Sequence, residues 1–532
     1  MAERLRSLRD GFAGRLGWLT GTTSGRGRGF SLMSAGNLLA AVFMYLRQAE
    51  FARMFGTDWR TDAFAIALMV PTLLREIVAN SFGSTFLPVY SDVVRNRGMK
   101  AARALTDRVI TWIGLAGVLL TVVLAVIRAP LVRACGPGLA PQARDLAEAM
   151  VLVLLPTVLL SAVSGILQGL YNHQRRFGMT ALIRLLEMGG SYATVLAASG
   201  RLGVMVMPAS VLCGVLAAFL AAALGSPGPG YRWKPVLDTR EPAFGTQISM
   251  AVPVIVGTLL GLLTPFINRV FASLLTESSV TALDYSDRMV KIALSVVFLP
   301  VMTLADTAFS DLTARRDMDG FRSELRSLLY WCSFGMVPAS LVLAVLAGPV
   351  VSVLFQRGSF DAGSTRLVAW SLVFYAPWIA QYGFGTILQR GFYALKDTKT
   401  PVALGVWAMI VNALLCVLLV GPLGVGGLAL AVTLASTAKT VLQAVVLDRK
   451  AGGIGAVGIM ADHARIVFPA LIAAGCVFAL SRFAKFDLEA PFAERAVLLA
   501  IYIAVGAVAY LLASLAAGSP GALRLLSREG RS

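Results

Sequence analysis

Apolar runs long enough to cross a bilayer recur along the whole chain, and no other feature restricts its fold as strongly. About 20 residues of helix span a hydrocarbon core of roughly 30 Å. In that medium only closed barrels and helices satisfy every backbone N–H and C=O. The runs here have helical length, and reading them in order gives about fourteen transmembrane helices. Composition agrees, with 57% hydrophobic and 14% charged residues, against about a quarter charged in a typical soluble domain. The expected class is an all-α polytopic membrane protein.

The 532 residues carry 47 Lys and Arg against 29 Asp and Glu. Such an excess can mark a nucleic-acid binder, but here the basic residues collect in short connections between apolar runs, as the positive-inside rule describes. The connection after the second span holds Arg95, Arg97, Lys100 and Arg103. Later even-numbered ones hold Arg175 and Arg176, then Arg315, Arg316 and Arg322, then Lys396 and Lys399. Residues 275–283 hold none. Even connections and both termini are therefore expected to face the cytoplasm, and no nucleic-acid partner is expected. Arg482 and Lys485 after the thirteenth span run against the pattern, diluted by Asp487, Glu489 and Glu494. The basic tail before residue 31, with Arg4, Arg6, Arg9, Arg15, Arg26 and Arg28, suits anionic lipid. Five cysteines form no ligand or disulfide pattern, and His173 and His463 are far apart. Neither an enzyme nor a bound metal or cofactor is expected.

The two halves repeat at a shift of roughly 220 residues. Ser91-Asp92, Arg97, Met99, Arg103 and Trp112 return as Ser310-Asp311, Arg316, Met318, Arg322 and Trp331. Gly169-Leu170-Tyr171 returns as Gly391-Phe392-Tyr393, and Gly203-Val204 as Gly424-Val425. Six helices per copy give both copies the same orientation. Parallel repeats of this kind build transporters whose substrate site lies between two rocking lobes. The expected layout is a tail over 1–30, an N-lobe over 31–225 and a cytoplasmic linker over 226–245. A C-lobe over 246–447 follows, then two further helices and a tail over 448–532.

A charge at the bilayer centre costs about 2.5–3.5 kcal/mol on insertion scales, so it needs a partner or a purpose. The first span holds Arg47, Glu50 and Arg53, and the second Asp62 and Arg75-Glu76. The seventh holds Asn268-Arg269, and the eighth Asp284, Asp287, Arg288 and Lys291. Helical spacing allows pairs Asp284–Arg288 and Asp287–Lys291 at i,i+4, and Arg184–Glu187 at i,i+3. Arg75 has no acid at such a spacing, and Arg47 has only Glu50. The planar fork of arginine suits two phosphate oxygens. Arg47, Arg75 and Arg288 are the expected ligands of a diphosphate, with Arg53 and Arg269 nearer the membrane surface.

These stretches resemble a known family. Arg47–Phe55 followed by Gly56, Thr61-Asp62-Ala63-Phe64, Pro71-Thr72-Leu73-Leu74-Arg75 and Phe86-Leu87-Pro88 resemble the opening of the MurJ (MviN) lipid II flippases. So do Phe271-Ala272-Ser273, Tyr285-Ser286-Asp287-Arg288, Leu354-Phe355-Gln356-Arg357-Gly358, Gly391-Phe392-Tyr393 and Asp397-Thr398-Lys399-Thr400-Pro401. That family belongs to the multidrug/oligosaccharidyl-lipid/polysaccharide exporter superfamily. The resemblance implies a bacterial inner-membrane monomer that moves an undecaprenyl-diphosphate-linked peptidoglycan precursor to the periplasmic leaflet. It implies substrate binding by Arg47, Arg75 and Arg288, and helix pairing or gating by Asp62. From their charges within the eighth span, Asp284, Asp287 and Lys291 are also expected to take part in gating or lobe pairing.

This chain departs from the family in places. It has Ala40-Ala41 where many members have Ser-Arg, Gln48 in place of an acid, and Lys291 in place of another. Where some members hold sodium with Asn-x-x-x-Asp, it has Asn412 and then Cys416. Loss of that hard oxygen ligand predicts no sodium site. Another polyprenyl-diphosphate glycan, such as a capsule or exopolysaccharide unit, is the alternative cargo. An acidic cavity, as in a drug/cation antiporter, is not what these charges build.

Overall fold

The computed structural model describes residues 25–174, 176–225, 233–294, 309, 317–453, 456–519 and 521–522, with no side-chain detail at 25–35, 79–80, 82–84, 456–462 and 464. The tail arginines before residue 25, together with Arg175, Ser310, Asp311, Arg315 and Arg316, lie outside the described residues. The described secondary structure is helical, as expected. Nine segments among the described residues are long and apolar enough to cross a membrane. The chain is a multi-pass membrane protein.

By contacts the chain divides into two compact units. Unit 1 comprises residues 1–51 and 63–262, and unit 2 comprises residues 52–62 and 263–532. Unit 1 contains most of α1 (Gly25–Phe55) and α2 (Trp59–Val126), the latter broken at Gly98, where φ is 80°. Then follow α3 (Arg128–Cys135), α4 (Pro141–Leu154), α5 (Pro156–His173), α6 (Phe177–Leu202), α7 (Val206–Leu224) and the first part of α8 (Pro242–Ser273). Its core gathers Phe86, Tyr90, Leu105, Ile166, Leu170 and Tyr171. The buried Tyr171 hydroxyl donates to the Ala222 carbonyl at 2.7 Å, which joins α5 to α7.

Unit 2 holds the end of α8, then α9 (279–294), α10 (Met318–Val345), α11 (Ala347–Phe355) and α12 (Ala362–Tyr375). After these come α13 (Trp378–Ala394), α14 (Lys399–Leu423), α15 (Val425–Lys450), α16 (Ala456–Phe483) and α17 (Phe492–Ala516). The last pair packs on α10 and α11 through Leu346, Val477, Leu499 and Tyr502. A buried arginine, Arg495, donates from Nη1 to Ser352 Oγ at 2.6 Å and ties α17 to α11.

The internal repeat has a conformational counterpart. Between α6 and α7 the chain turns at Gly203, with φ 51° and ψ −133°. Between α14 and α15 it turns at Gly424, with φ 57° and ψ −131°. L-residues with a Cβ rarely adopt this backbone, so glycine recurs where both copies need the same reversal. The aromatic ends of the copies differ: Tyr171 is fully buried, whereas Tyr393 is 42% exposed and Phe392 takes the buried place.

The turn between α1 and α2 is tied to the rest of unit 2 by backbone and side-chain hydrogen bonds. Ser359 N donates to the Arg53 carbonyl at 2.8 Å, and Ser359 Oγ to the Met54 carbonyl at 3.0 Å. Thr57 Oγ1 donates to Ser364 Oγ at 2.8 Å, and Ser278 Oγ to the Thr57 carbonyl at 2.7 Å. Gly56 and Gly358 both have positive φ, 61° and 59°. A Cβ on Gly56 would strike the Ser359 carbonyl, and one on Gly358 the Arg53 carbonyl. The Gly56→Ala variant should therefore lose at least about 1–2 kcal/mol from the left-handed backbone alone. A thermal unfolding midpoint in detergent equal to that of the parent protein would contradict this account of the turn.

Candidate functional site

In unit 1 the two predicted arginines dock on one helix. Arg47, half-buried on α1, donates from Nη1 to Ser191 Oγ at 2.8 Å, and its guanidinium lies 5.8 Å from the Phe51 ring centroid. Arg75 on α2 donates from Nη2 to Glu187 Oε1 at 2.5 Å, with the two side chains 25% and 20% exposed. Glu187 and Ser191 sit four apart on α6 and so share a face. The expected Arg184–Glu187 pair is absent from the described ion pairs, because Glu187 turns to α2 while Arg184 reaches Asn37 Oδ1 at 3.2 Å. Glu187 neutralises a charge on a separate helix, where desolvation makes an orphan expensive. Breaking such a pair by removing one partner costs about 3–5 kcal/mol when it is fully buried, and less at this partial exposure.

In unit 2 the charges sort differently from their sequence spacing. Asp287 accepts from Lys291 Nζ at 2.7 Å, the expected i,i+4 pair, and also from the Tyr375 hydroxyl at 3.1 Å. Asp284, however, accepts from Arg269 Nε at 2.7 Å and does not pair with Arg288. Arg269, expected near the membrane surface, is thus a partly buried ion-pair member, its side chain 25% exposed. Arg288 is half-buried and makes no hydrogen bond or ion pair among the described residues.

Asp62 is buried, and its carboxylate receives three hydrogen bonds. Ser278 N donates to Oδ2 at 2.7 Å, while Thr281 N and Thr281 Oγ1 donate to Oδ1 at 2.8 and 2.6 Å. These donors lie at the start of α9, whose first N–H groups have no partner inside the helix. Asp62 therefore caps a helix more than 200 residues downstream of it.

An open cavity of about 470 Å³ lies next to this junction, lined in part by Thr57, Asp58, Arg60, Glu277, Asp361 and Ser364. Asp361 caps α12 by accepting from Ser364 N at 2.7 Å, and that bond holds its carboxyl below the usual carboxylate range. None of the predicted diphosphate ligands lines this cavity.

At the position of the sodium motif, Asn412 Nδ2 donates to Asn268 Oδ1 at 2.8 Å and Cys416 Sγ to the same oxygen at 3.3 Å. All three side chains are buried and uncharged at neutral pH. The described residues contain no cluster of three or more His, Cys, Asp or Glu that fits a metal. Each histidine bonds a serine, His173 to Ser91 and His463 to Ser333, both at 3.1 Å.

Sequence reasoning missed Glu187, Ser191, Thr281 and Tyr375 as partners of the charged set. The available signal was the mismatch itself, an arginine with no acid at helical spacing and a glutamate within another apolar helix.

The helices and their intramembrane charges define a polytopic membrane transporter. The fold is similar to that of a solved "Lipid II flippase MurJ, inward closed conformation", with a TM-score of 0.77 at 20% identity, covering 91% of this chain and 98% of that one. It is also similar to an inward-facing multidrug resistance MATE family transporter of the MOP superfamily, with a TM-score of 0.63 at 13% identity, covering 77% and 94%. A curated relative from Burkholderia cenocepacia, "Lipid II flippase MurJ", is 27% identical over 468 residues, which is 84% of this chain and 89% of the relative. The family described as "Lipid II flippase MurJ" matches residues 51–493, and the chain belongs to it.

The Asp62 cap yields a direct expectation. Asp62→Ala leaves the Ser278 and Thr281 N–H groups without an acceptor, at about 1–3 kcal/mol for each buried orphan. Asp62→Asn, which keeps one acceptor oxygen, should fall between the variant and the parent. Unfolding midpoints of the purified proteins check the order, and an unchanged midpoint for Asp62→Ala would rule the cap out.

Proposed function

We propose that this protein flips lipid II, the undecaprenyl-diphosphate-linked peptidoglycan precursor, from the cytoplasmic to the periplasmic leaflet. In this reading both termini are cytoplasmic, the protein acts as a monomer, and its work is binding and release without bond chemistry. Membership of the flippase family supports the cargo. Arg47, Arg75 and Arg288 bind the diphosphate, and the observation that carries this is Arg288. A half-buried guanidinium with no partner among the described residues, on a helix whose other charges are paired, has its donors free for an anion. Arginine offers paired N–H donors to two phosphate oxygens, which a single ammonium does not.

Asp62, Asp284, Asp287 and Lys291 have a supporting part in this proposal. Asp62 holds the start of α9, the helix that bears Arg288, and the Asp284–Arg269 and Asp287–Lys291 pairs neutralise the acids on its flanks. Arg288 is then the net charge that the helix presents. Alternating access further requires that the diphosphate be held more tightly in the loading state than in the releasing state.

Depletion–complementation tests the reading. Cells deprived of their own lipid II flippase should grow when this protein is expressed, and Arg288→Ala or Arg75→Ala should abolish rescue at equal membrane abundance. Rescue by both variants would remove the arginines from the mechanism. Failure of the correctly inserted parent protein would point to a different polyprenyl-diphosphate glycan.

A further inference from the structure

We propose that Glu187 is a built-in competitor for the diphosphate, a carboxylate that occupies Arg75 in the empty protein and must be displaced when substrate binds. This inference rests on the flippase reading and adds a positioning residue that sequence spacing did not reveal. Its basis lies wholly within unit 1. The Glu187 carboxylate and the Ser191 hydroxyl, one turn apart on α6, receive Arg75 and Arg47 at 2.5 and 2.8 Å. A single short stretch of α6 thus contacts both guanidinium groups. Glu187 lies ten residues into α6, about 15 Å from its start, well inside an apolar helix.

The stretch is also held rigidly from behind. Gly214 of α7 lies so close that a Cβ there would strike the Glu187 carbonyl and crowd Ser191 Cβ, and Gly190 of α6 faces Gly214 and Ala217. Small residues let the two helix backbones approach closely, which is how helices lock together in lipid. On the other side, a Cβ on Gly189 would meet the ring of Phe43 on α1, and that ring lies 6.1 Å from the ring of Tyr192. Such close packing favours a platform that stays in place when Arg75 is drawn away. Substrate must draw Arg75 away from Glu187 while the carboxylate stays behind.

The exchange has a definite electrostatic consequence. A diphosphate carries more charge and more acceptor oxygens than one carboxylate, so it wins the guanidinium. Once it does, Glu187 has lost its partner and stands near a second anion, and like charges at short range in a low dielectric repel strongly. Part of the binding energy is thereby cancelled in the loaded state. That cancellation keeps the site from holding its cargo too tightly and favours the return of Arg75 to Glu187 on release. No covalent step is involved.

The test uses the full-length protein in lipid nanodiscs with undecaprenyl diphosphate as the probe, alongside a proteoliposome assay of lipid II flipping. Glu187→Gln should bind undecaprenyl diphosphate about five- to tenfold more tightly than the parent while flipping more slowly. Glu187→Asp keeps the charge but withdraws it from Arg75, so it should show intermediate affinity and a rate near that of the parent. A purely structural role for Glu187 would lower affinity and rate together. Unchanged or weakened binding by Glu187→Gln, or by Glu187→Asp should the glutamine variant not fold, overturns the proposal. If Arg75→Ala binds the probe as well as the parent does, the arginine reading itself fails, and that outcome does not depend on any Glu187 variant.

Discussion

Charge placed in a low-dielectric interior must be matched, and most of the polar architecture follows from that requirement. Arg75 is matched by Glu187, Arg269 by Asp284, and Lys291 by Asp287, which Tyr375 also contacts. Asp62 is matched by dipoles, with two backbone N–H groups and a hydroxyl standing where a cation would otherwise be needed. Arg495 is matched more sparsely: Ser352 and the Gln356 carbonyl take its terminal nitrogens, and Nε has no partner among the described residues. These differences matter because a fully matched charge is inert toward a ligand unless the ligand outbids its partner, whereas an unmatched one is ready to bind.

The turn over residues 52–62 shows how such matching becomes architecture. It belongs by contacts with residues 263–532, although the helices on either side of it count with unit 1. The chain crosses into unit 2, is fixed there by Ser359, Ser364 and Ser278, and leaves through Asp62. Its two glycine contacts, Gly56 on the Ser359 carbonyl and Gly358 on the Arg53 carbonyl, are reciprocal, so neither strand of the junction tolerates a side chain. Glycine at positions 56 and 358 therefore has a steric cause in this fold.

What could be read from the chain beforehand depended on how local the physics is. The helical class followed from run length and composition, because backbone satisfaction in lipid is a local demand. The repeat followed where identical backbone geometry forces identical residues, as at Gly203 and Gly424. The Asp287–Lys291 pair followed from spacing on one helix. Spacing failed for Arg184–Glu187 and Asp284–Arg288, because a carboxylate inside a bundle chooses among cations on every neighbouring helix. Arg75 lies 112 residues from Glu187, and no periodicity links them. Arg269 and Asp284 are only 15 residues apart, yet they sit on different helices, so helical spacing was blind to them as well.

The same bookkeeping separates the three candidate arginines, which the sequence treated alike. The contacts of Arg47 include a neutral hydroxyl and an aromatic ring, Arg75 pairs with a full carboxylate, and Arg288 makes no hydrogen bond or ion pair among the described residues. Within unit 1, an anion arriving at Arg47 and Arg75 would therefore meet unequal resistance. At Arg75 it would have to break an ion pair, whereas the Ser191 hydroxyl at Arg47 is a neutral acceptor. Unequal partners on two arginines that meet the same helix thus grade how readily each guanidinium could be drawn away.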